Sequence, residues 1–289
     1  MFSHLPVMIN ETIDSLIQNR SGAYLDCTFG LGGHSKEILK NLDSKGSLSA
    51  IDQDQVVAEY ALKIKDPRFN FQYSKFSNIK NLFKKNKFDG ILFDLGVSSL
   101  QLDDASRGFS FQKNGKLDMR MDQSNKISAF EWINNAKESE IADIFYYLGE
   151  ERRSRFFARR VIERRKISLI DSTEDLASIA YTGRHSKKHP ATNIFRAVRM
   201  FVNNELGEIK DALMASVNLL NDKGRIAVIS FHSMEDRIVK NFFKGKVDGS
   251  DFDSQLKSIG KIIKPSVAEI QENPRARSAI LRIGERSYA

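Results

Sequence analysis

The stretch Tyr24-Leu25-Asp26-Cys27-Thr28-Phe29-Gly30-Leu31-Gly32-Gly33-His34-Ser35 decides how the rest of this sequence is interpreted. It begins as a short apolar, β-forming run and then breaks into three glycines. A helical pattern follows, in which Ile38, Leu39 and Leu42 recur on one side. Strand, glycine turn and helix open a nucleotide-binding βαβ unit. Glycine there lets backbone approach a ligand closely, and the helix N-terminus offers N–H groups to it.

Strand patterns alternate with helical ones on both sides of a central gap. Strands are predicted at residues 23–25, 47–51, 69–73, 90–94 and 225–231, with two more near 261–264 and 279–283. Helices are predicted at residues 8–19, 34–42, 55–65, 77–86, 128–147, 150–166, 173–181 and 192–221, and from Met234. We therefore predict an α/β fold with a mostly parallel, doubly wound sheet of about seven strands. Residues 102–190 contain no convincing parallel strand and are predicted to be an inserted, mostly helical domain, which divides a sheet domain of residues 1–101 and 191–289.

Composition favours a polyanionic partner. Lys and Arg number 45 against 37 Asp and Glu, so the net charge is +8 and the pI about 9.4. A solvated basic surface is the alternative. Cys27 is the only cysteine, which excludes an intramolecular disulfide and favours a cytoplasmic protein. The five histidines show no metal-ligand spacing with Cys27, so no metal site is expected. No membrane span and no secretory signal are predicted.

Polar residues close three of the predicted strands. Asp52 follows the glycine turn by roughly the 20 residues typical of a ribose-binding carboxylate, which fits NAD, FAD or S-adenosylmethionine. Ser35 stands where a dinucleotide fingerprint has its third glycine, which weakens that interpretation. Asp94 precedes Gly96, Ser98, Ser99 and Gln101 and is predicted to face the same crevice; capping serines are the alternative. His232 closes the fifth strand, with Glu235 and Asp236 as first-turn helix charges.

Basic residues are concentrated in one predicted helix, whose apolar side holds Phe157, Val161 and Ile162. Side chains of this kind neutralise phosphates rather than read bases, although a solvated helix face is the alternative. The set consists of Arg152, Arg153, Arg155, Arg159, Arg160, Arg164, Arg165 and Lys166.

Several long and unusual motifs run almost from end to end of the chain. They are residues 4–7 (HLPV), 26–35 (DCTFGLGGHS), 89–99 (DGILFDLGVSS), 101–103 (QLD), 107–111 (RGFSF), 117–121 (LDMRM), 149–152 (GEER), 189–192 (HPAT), 202–206 (VNNEL), 229–239 (ISFHSMEDRIV) and 273–278 (NPRARS). Together these motifs resemble one known family, the bacterial RsmH (MraW) methyltransferases.

The resemblance implies a Rossmann-like class I methyltransferase domain, with the insertion as a second, substrate-recognition domain. It implies methylation of the 4-amino group of a cytidine in the decoding centre, at the P site, of 16S ribosomal RNA in the small ribosomal subunit. It also implies S-adenosylmethionine as cofactor and these residues as its contacts: Gly32, Gly33, His34, Asp52, Phe76, Asp94 and Gln101. The oligomeric state stays open, with a homodimer as one alternative.

For the methyl-transfer step we hypothesise that Asp94, Ser98 or Ser99, with His232 opposite, bind the flipped cytosine. Phe109, Phe111 or Phe231 would stack on that base.

Two other functions remain open on the residues alone. A nicotinamide dehydrogenase would also have the glycine turn and Asp52, and a ribosome-assembly factor with a vestigial cofactor fold would bind RNA without modifying it.

Overall fold

The computed structural model describes residues 6–181, 189–252 and 255–287. The nine strands, in chain order, are β1 (Ala23–Asp26), β2 (Ser47–Asp52), β3 (Phe69–Tyr73), β4 (Phe88–Asp94), β5 (Leu220–Ser230), β6 (Lys246–Val247), β7 (Ser250–Asp251), β8 (Leu256–Ile263) and β9 (Ile280–Arg286). Seven of them form one sheet in the order β3-β2-β1-β4-β5-β9-β8, and β6 and β7 form a separate hairpin. The first five strands of that order are parallel, whereas β9 is antiparallel to both of its neighbours. The predicted fold class is confirmed.

Helices account for most of the remaining described chain. They are α1 (Ile9–Leu16), α2 (Gly33–Asn41), α3 (Ala58–Ala61), α4 (Ile79–Leu82), α5 (Ser99–Asp103), α6 (Ala129–Asn135), α7 (Glu138–Tyr147), α8 (Ser154–Ile167), α9 (Thr173–Ala180), α10 (Ala191–Val202), α11 (Glu205–Leu219), α12 (Ser233–Phe242) and α13 (Val267–Glu272). No helix within the described ranges is both long enough and apolar enough to cross a membrane.

The chain divides into two compact units, one of Met1–Gly96 with Leu206–Ala289 and one of Val97–Glu205. The first contains the sheet, whose central parallel strands β1 and β4 are mostly buried, as parallel strands covered by helices on both faces must be. Tyr24 and Leu25, adjacent in β1, are fully buried in two different clusters on opposite faces. The second unit has a core of its own, formed by α6 to α10 and the loop before them.

The limits of the second unit differ from the predicted insertion of residues 102–190 at both ends. At the N-terminal end the unit already begins at Val97 and includes α5. At the C-terminal end α10 belongs to it, because Ile194 and Val198 are completely buried in its core together with residues of α7 and α9.

Two predicted helices are each two helices in the structure. The pattern over residues 128–147 is interrupted between α6 and α7, where Ala136 is extended. The pattern over residues 192–221 is interrupted at Asn203 and Asn204, and Asn204 has a left-handed φ of 48°. The predicted helix was also wrong at its end, since β5 begins at Leu220. Apolar periodicity continued through both interruptions because the helices on either side have buried faces of their own.

Candidate functional site

The carboxyl ends of the parallel strands bring three aspartates to one edge of the sheet, among them the predicted site residues Asp52 and Asp94. Asp26 ends β1, Asp52 ends β2 and Asp94 ends β4. β1 lies between β2 and β4, so the chain reverses its direction of strand addition there. Such a switch point is where open α/β sheets bind ligands.

The glycine turn after β1 needs glycine for two separate reasons. Gly30 and Gly32 have φ of 53° and 72°, in the left-handed region that side chains disfavour. A Cβ on Gly33 would overlap the ring of Pro6. Gly32 is also the N-cap of α2 and provides no side-chain cap to that helix. The first backbone N–H groups of α2 therefore receive no hydrogen bond from an N-cap side chain.

Asp26 closes the turn through hydrogen bonds to both of its carboxyl oxygens. It is buried, and its Oδ1 accepts from the backbone N–H of Thr28 at 3.0 Å while its Oδ2 accepts from Ser35 Oγ at 2.6 Å. Ser35 thus replaces the third glycine of a dinucleotide fingerprint with a hydroxyl that Asp26 binds. Burial raises the pKa of Asp26, and the two hydrogen bonds counter that rise.

Asp52 connects the end of β2 to the same turn. Its Oδ2 accepts from Gly30 N at 2.8 Å, and its Oδ1 accepts from Asp54 N at 2.9 Å. Each oxygen keeps a second lone pair, so the carboxylate can still accept hydrogen bonds from a ligand. Burial is the main reason that the pKa of Asp52 is raised to about 6, and the charges of Asp54 and Asp26 add to it.

Asp94 combines a neighbouring histidine with an oxygen that has no partner. Its Oδ2 lies 3.6 Å from Nδ1 of His34, and His34 Nε2 donates to the carbonyl of Val7 at 3.0 Å. Asp94 Oδ1 is buried and has no hydrogen-bond partner among the described residues. Burial, followed by the charges of Asp26 and Glu235, raises the pKa of Asp94 well above its usual range. A buried acceptor without a donor is costly, and a ligand that donates would remove that cost.

His232 and Glu235 form the N-terminal cap of α12. His232 Nδ1 accepts from Glu235 N at 3.4 Å, and Glu235 Oε2 accepts from the backbone N–H groups of Phe231 and His232. Glu235 Oε1 lies 3.1 Å from His232 Nε2. Glu235 lies in the first turn of α12, as predicted, and is buried there at 1% exposure. A capping box, with an acceptor followed three residues later by Glu, is the sequence signal that identifies it.

Two further contacts at this edge depend on strand pairing. The Thr28 hydroxyl accepts from Asp94 N at 2.7 Å and so joins the glycine turn to the end of β4. Phe76 follows β3 and packs edge-on against Phe93 of β4, with ring centroids 6.0 Å apart. It is only partly buried, which leaves apolar surface for a planar ligand group. Sequence reasoning alone found neither residue; Phe76 came from the family resemblance.

The remaining predicted site residues belong to the second unit, at the start of α5. Ser98 Oγ accepts from Gln101 N at 3.3 Å, and Gln101 Oε1 accepts from Ser98 N at 3.0 Å. This is a reciprocal capping box, which was the alternative interpretation of these residues. Ser99 and Gln101 are buried. Contacts of Ser98, Ser99 and Gln101 with a ligand stay predictions.

Comparison with known proteins identifies the family. The family model described as the MraW methylase family matches residues 1–287. The chain belongs to this family. A protein from Hamiltonella defensa named ribosomal RNA small subunit methyltransferase H is 44% identical over 98% of both chains. A Marinomonas protein of the same name is 43% identical over 99% of this chain and 98% of its own.

Membership in the MraW methylase family confirms the family suggested by the sequence motifs. It also decides between a methyltransferase and a nicotinamide dehydrogenase. A nicotinamide dehydrogenase would share the glycine turn and Asp52, but the chain is matched as a methylase over nearly its whole length. The strand-end carboxylates described above therefore belong to a methyltransferase.

Proposed function

We propose that this chain transfers a methyl group from S-adenosylmethionine to the 4-amino group of a cytidine at the P site of the decoding centre of 16S ribosomal RNA. The observation that supports this most is the family match over residues 1–287. The two relatives above, each named as a small-subunit ribosomal RNA methyltransferase, cover nearly the full length of the chain. The net charge of +8 suits an RNA substrate.

The residues at the sheet edge suit S-adenosylmethionine, which combines a carboxylate, an ammonium, a sulfonium, a ribose and an adenine. The backbone of Gly32 and Gly33 at the start of α2 would take an anionic group. Asp52 would accept from ribose hydroxyls, and the unpartnered Oδ1 of Asp94 would accept from a cationic or amino group. Phe76 would lie against the adenine. His34 is a predicted contact whose Nδ1 lies 3.6 Å from Oδ2 of Asp94. Gln101 remains a predicted contact from the second unit.

When bound, S-adenosylmethionine supplies a methyl group already activated by the sulfonium, so positioning is the main task left to the protein. The cytosine amine is a weak nucleophile, because its lone pair is delocalised into the ring. An acceptor at its hydrogen localises that pair and takes the proton that the nitrogen must lose. Asp94 Oδ1 is the proposed acceptor, with Ser98, Ser99 and His232 as proposed contacts of the base.

A methylation assay tests the proposed reaction. Purified protein is incubated with labelled S-adenosylmethionine and either naked 16S RNA or small-subunit particles that lack the modification. Mass spectrometry of the digested RNA should find one N4-methylated cytidine in the decoding centre. RNA binding without methyl transfer would instead support the assembly-factor alternative, and binding of NAD but not S-adenosylmethionine would overturn the cofactor.

Two substitutions test the proposed residues. Asp94→Asn should lower the methylation rate by about a hundredfold or more, as loss of a general base commonly does. His232→Ala should weaken methyl transfer through the base contact, and a thermal melt separates this from the loss of the α12 cap. Cofactor titration is the control for His232→Ala; for Asp94→Asn, rates are compared at saturating S-adenosylmethionine, because Asp94 is also a proposed cofactor contact. Full methylation rates in both would remove Asp94 and His232 from the mechanism.

A further inference from the structure

Helix α8 carries an outward surface that is not part of the proposed site at the sheet edge. Its inner face is buried in the core of the second unit through Phe157, Ala158 and Val161. The opposite face presents Arg155, Phe156 and Arg159, all exposed, and the turn before the helix adds Arg152. Residues three and four apart lie side by side on a helix, so these side chains form one continuous patch.

The arginines of this helix fall into two classes. Arg164 pairs with Asp175 at 2.7 Å, and Arg165 donates to the carbonyls of Ile133 and Ala136 at the end of α6. These two stabilise the unit itself. In contrast, Arg152, Arg155 and Arg159 make no hydrogen bond through their side chains and no ion pair with any residue that the structure describes.

Phe156 lies among these charges and is 49% exposed. Its ring meets the buried Phe157 nearly edge-on at 5.3 Å, which fixes its orientation. The guanidinium groups of Arg153 and Arg160 lie 5.6 Å and 5.8 Å from its centroid, close to the 6 Å limit of a cation–π contact. The ring is thus positioned by its neighbours and still has half of its surface accessible.

We propose that this patch, formed by Arg152, Arg155, Phe156 and Arg159, binds an unpaired segment of the RNA substrate, with one base stacked on Phe156 and flanking phosphates on the arginines. The proposal rests on the proposed function for its substrate. Charge complementarity selects a polyanion, since three adjacent cations form no ion pair with any described residue. The exposed aromatic ring selects single-stranded RNA, because a base within a duplex has no free face for stacking.

The test compares binding of a fluorescent single-stranded oligonucleotide and a duplex by full-length variants. Phe156→Leu should weaken single-strand binding roughly five- to hundredfold and leave duplex binding and the salt dependence unchanged. Arg155→Ala with Arg159→Ala should reduce the slope of log affinity against log salt by roughly 1.4, which corresponds to two lost phosphate contacts. Arg155→Lys with Arg159→Lys should restore that slope.

Lys84→Ala with Lys85→Ala is the matched control, because it also removes two positive charges, here from an exposed segment of the first unit. If the α8 variants and this control lose affinity equally, the effect is one of net charge and the α8 proposal is overturned. Equal loss on single strands and duplex in Phe156→Leu also overturns it, as would preferential binding of anionic lipid vesicles.

Methylation by the wild-type protein separates this proposal from the proposed function. If wild type methylates 16S RNA while all α8 variants bind like the control, the function stands and the surface does not. If wild type methylates no ribosomal RNA but the α8 variants lose single-strand binding, the surface stands and the function does not. All the substituted side chains are exposed, so the variants should fold like wild type. Thermal melts of each variant check this.

Discussion

At the scale of single residues, the site is defined by carboxyl groups whose pKa burial raises. Asp26, Asp52 and Asp94 each end a parallel strand, and burial is the largest cause of the raised pKa of all three. Asp26 is satisfied within the protein, whereas Asp94 retains an unpartnered oxygen. The three aspartates therefore have different roles although the sequence presents them alike.

The pKa of Asp52 predicts how cofactor binding depends on pH. If the ionised carboxylate accepts the ribose hydroxyls, affinity is complete above the pKa of about 6 and is lost as pH falls through it. We expect the Kd for S-adenosylmethionine to rise about tenfold per pH unit below 6, as measured by calorimetry between pH 5 and 7. Asp52→Asn should bind weakly with a flat profile. An unchanged profile in that variant would assign the titration to another group, such as Asp26 or Asp94.

At the scale of elements, the side chain of Asn203 links the break between α10 and α11 to the loop before α6. Asn203 Oδ1 accepts from Met121 N at 2.7 Å, and its Nδ2 donates to Met119 O at 2.7 Å. All three residues are in the second unit, and Asn203 is 5% exposed. The interruption of the helix thereby becomes an anchor for the loop that precedes α6.

Asn203→Ala should destabilise the second unit by at least about 2 kcal/mol, because it leaves one buried N–H and one buried carbonyl without partners. Urea unfolding followed by the fluorescence of Trp132 reports on that unit, since Trp132 is the only tryptophan and lies in its core. Asn204→Gly is the control: it should be neutral or stabilising, because Asn204 has a φ of 48° that glycine adopts without strain. Equal stability of Asn203→Ala and wild type would contradict the anchoring role.

The seven strands of the main sheet were predictable from the sequence, although β5 and β8 begin about five residues before their predicted starts and the β6–β7 hairpin was missed. The helix limits were less predictable. The alternating pattern at Phe69–Tyr73 predicted β3 with its observed bounds, because the alternation of apolar and polar side chains is visible within the strand's own sequence. The break at Asn203 could not be found this way, since it is stabilised by Met119 and Met121, more than 80 residues earlier. The Thr28–Asp94 bond was likewise invisible, because it exists only once β1 and β4 are paired.

At the scale of the whole molecule, the two units have separate hydrophobic cores, so a ligand need not stabilise them equally. All but one of the proposed S-adenosylmethionine contacts lie in the first unit; Gln101, in α5, is the exception. A ligand at 100 times its Kd stabilises the structure that binds it by about 2.7 kcal/mol. That energy should appear mainly in the strands whose ends form the site.

Hydrogen exchange measured by mass spectrometry tests this division. Saturating S-adenosylmethionine should slow exchange in β1, β2 and β4, by up to about a hundredfold for amides that exchange through unfolding of the first unit. Helices α7 and α8 should change little. The peptide that contains α5 decides the case of Gln101: protection there supports a cofactor contact from the second unit, and its absence restricts Gln101 to capping α5. Equal protection of α7, α8 and the strands would show instead that the two units respond to the ligand as one cooperative body.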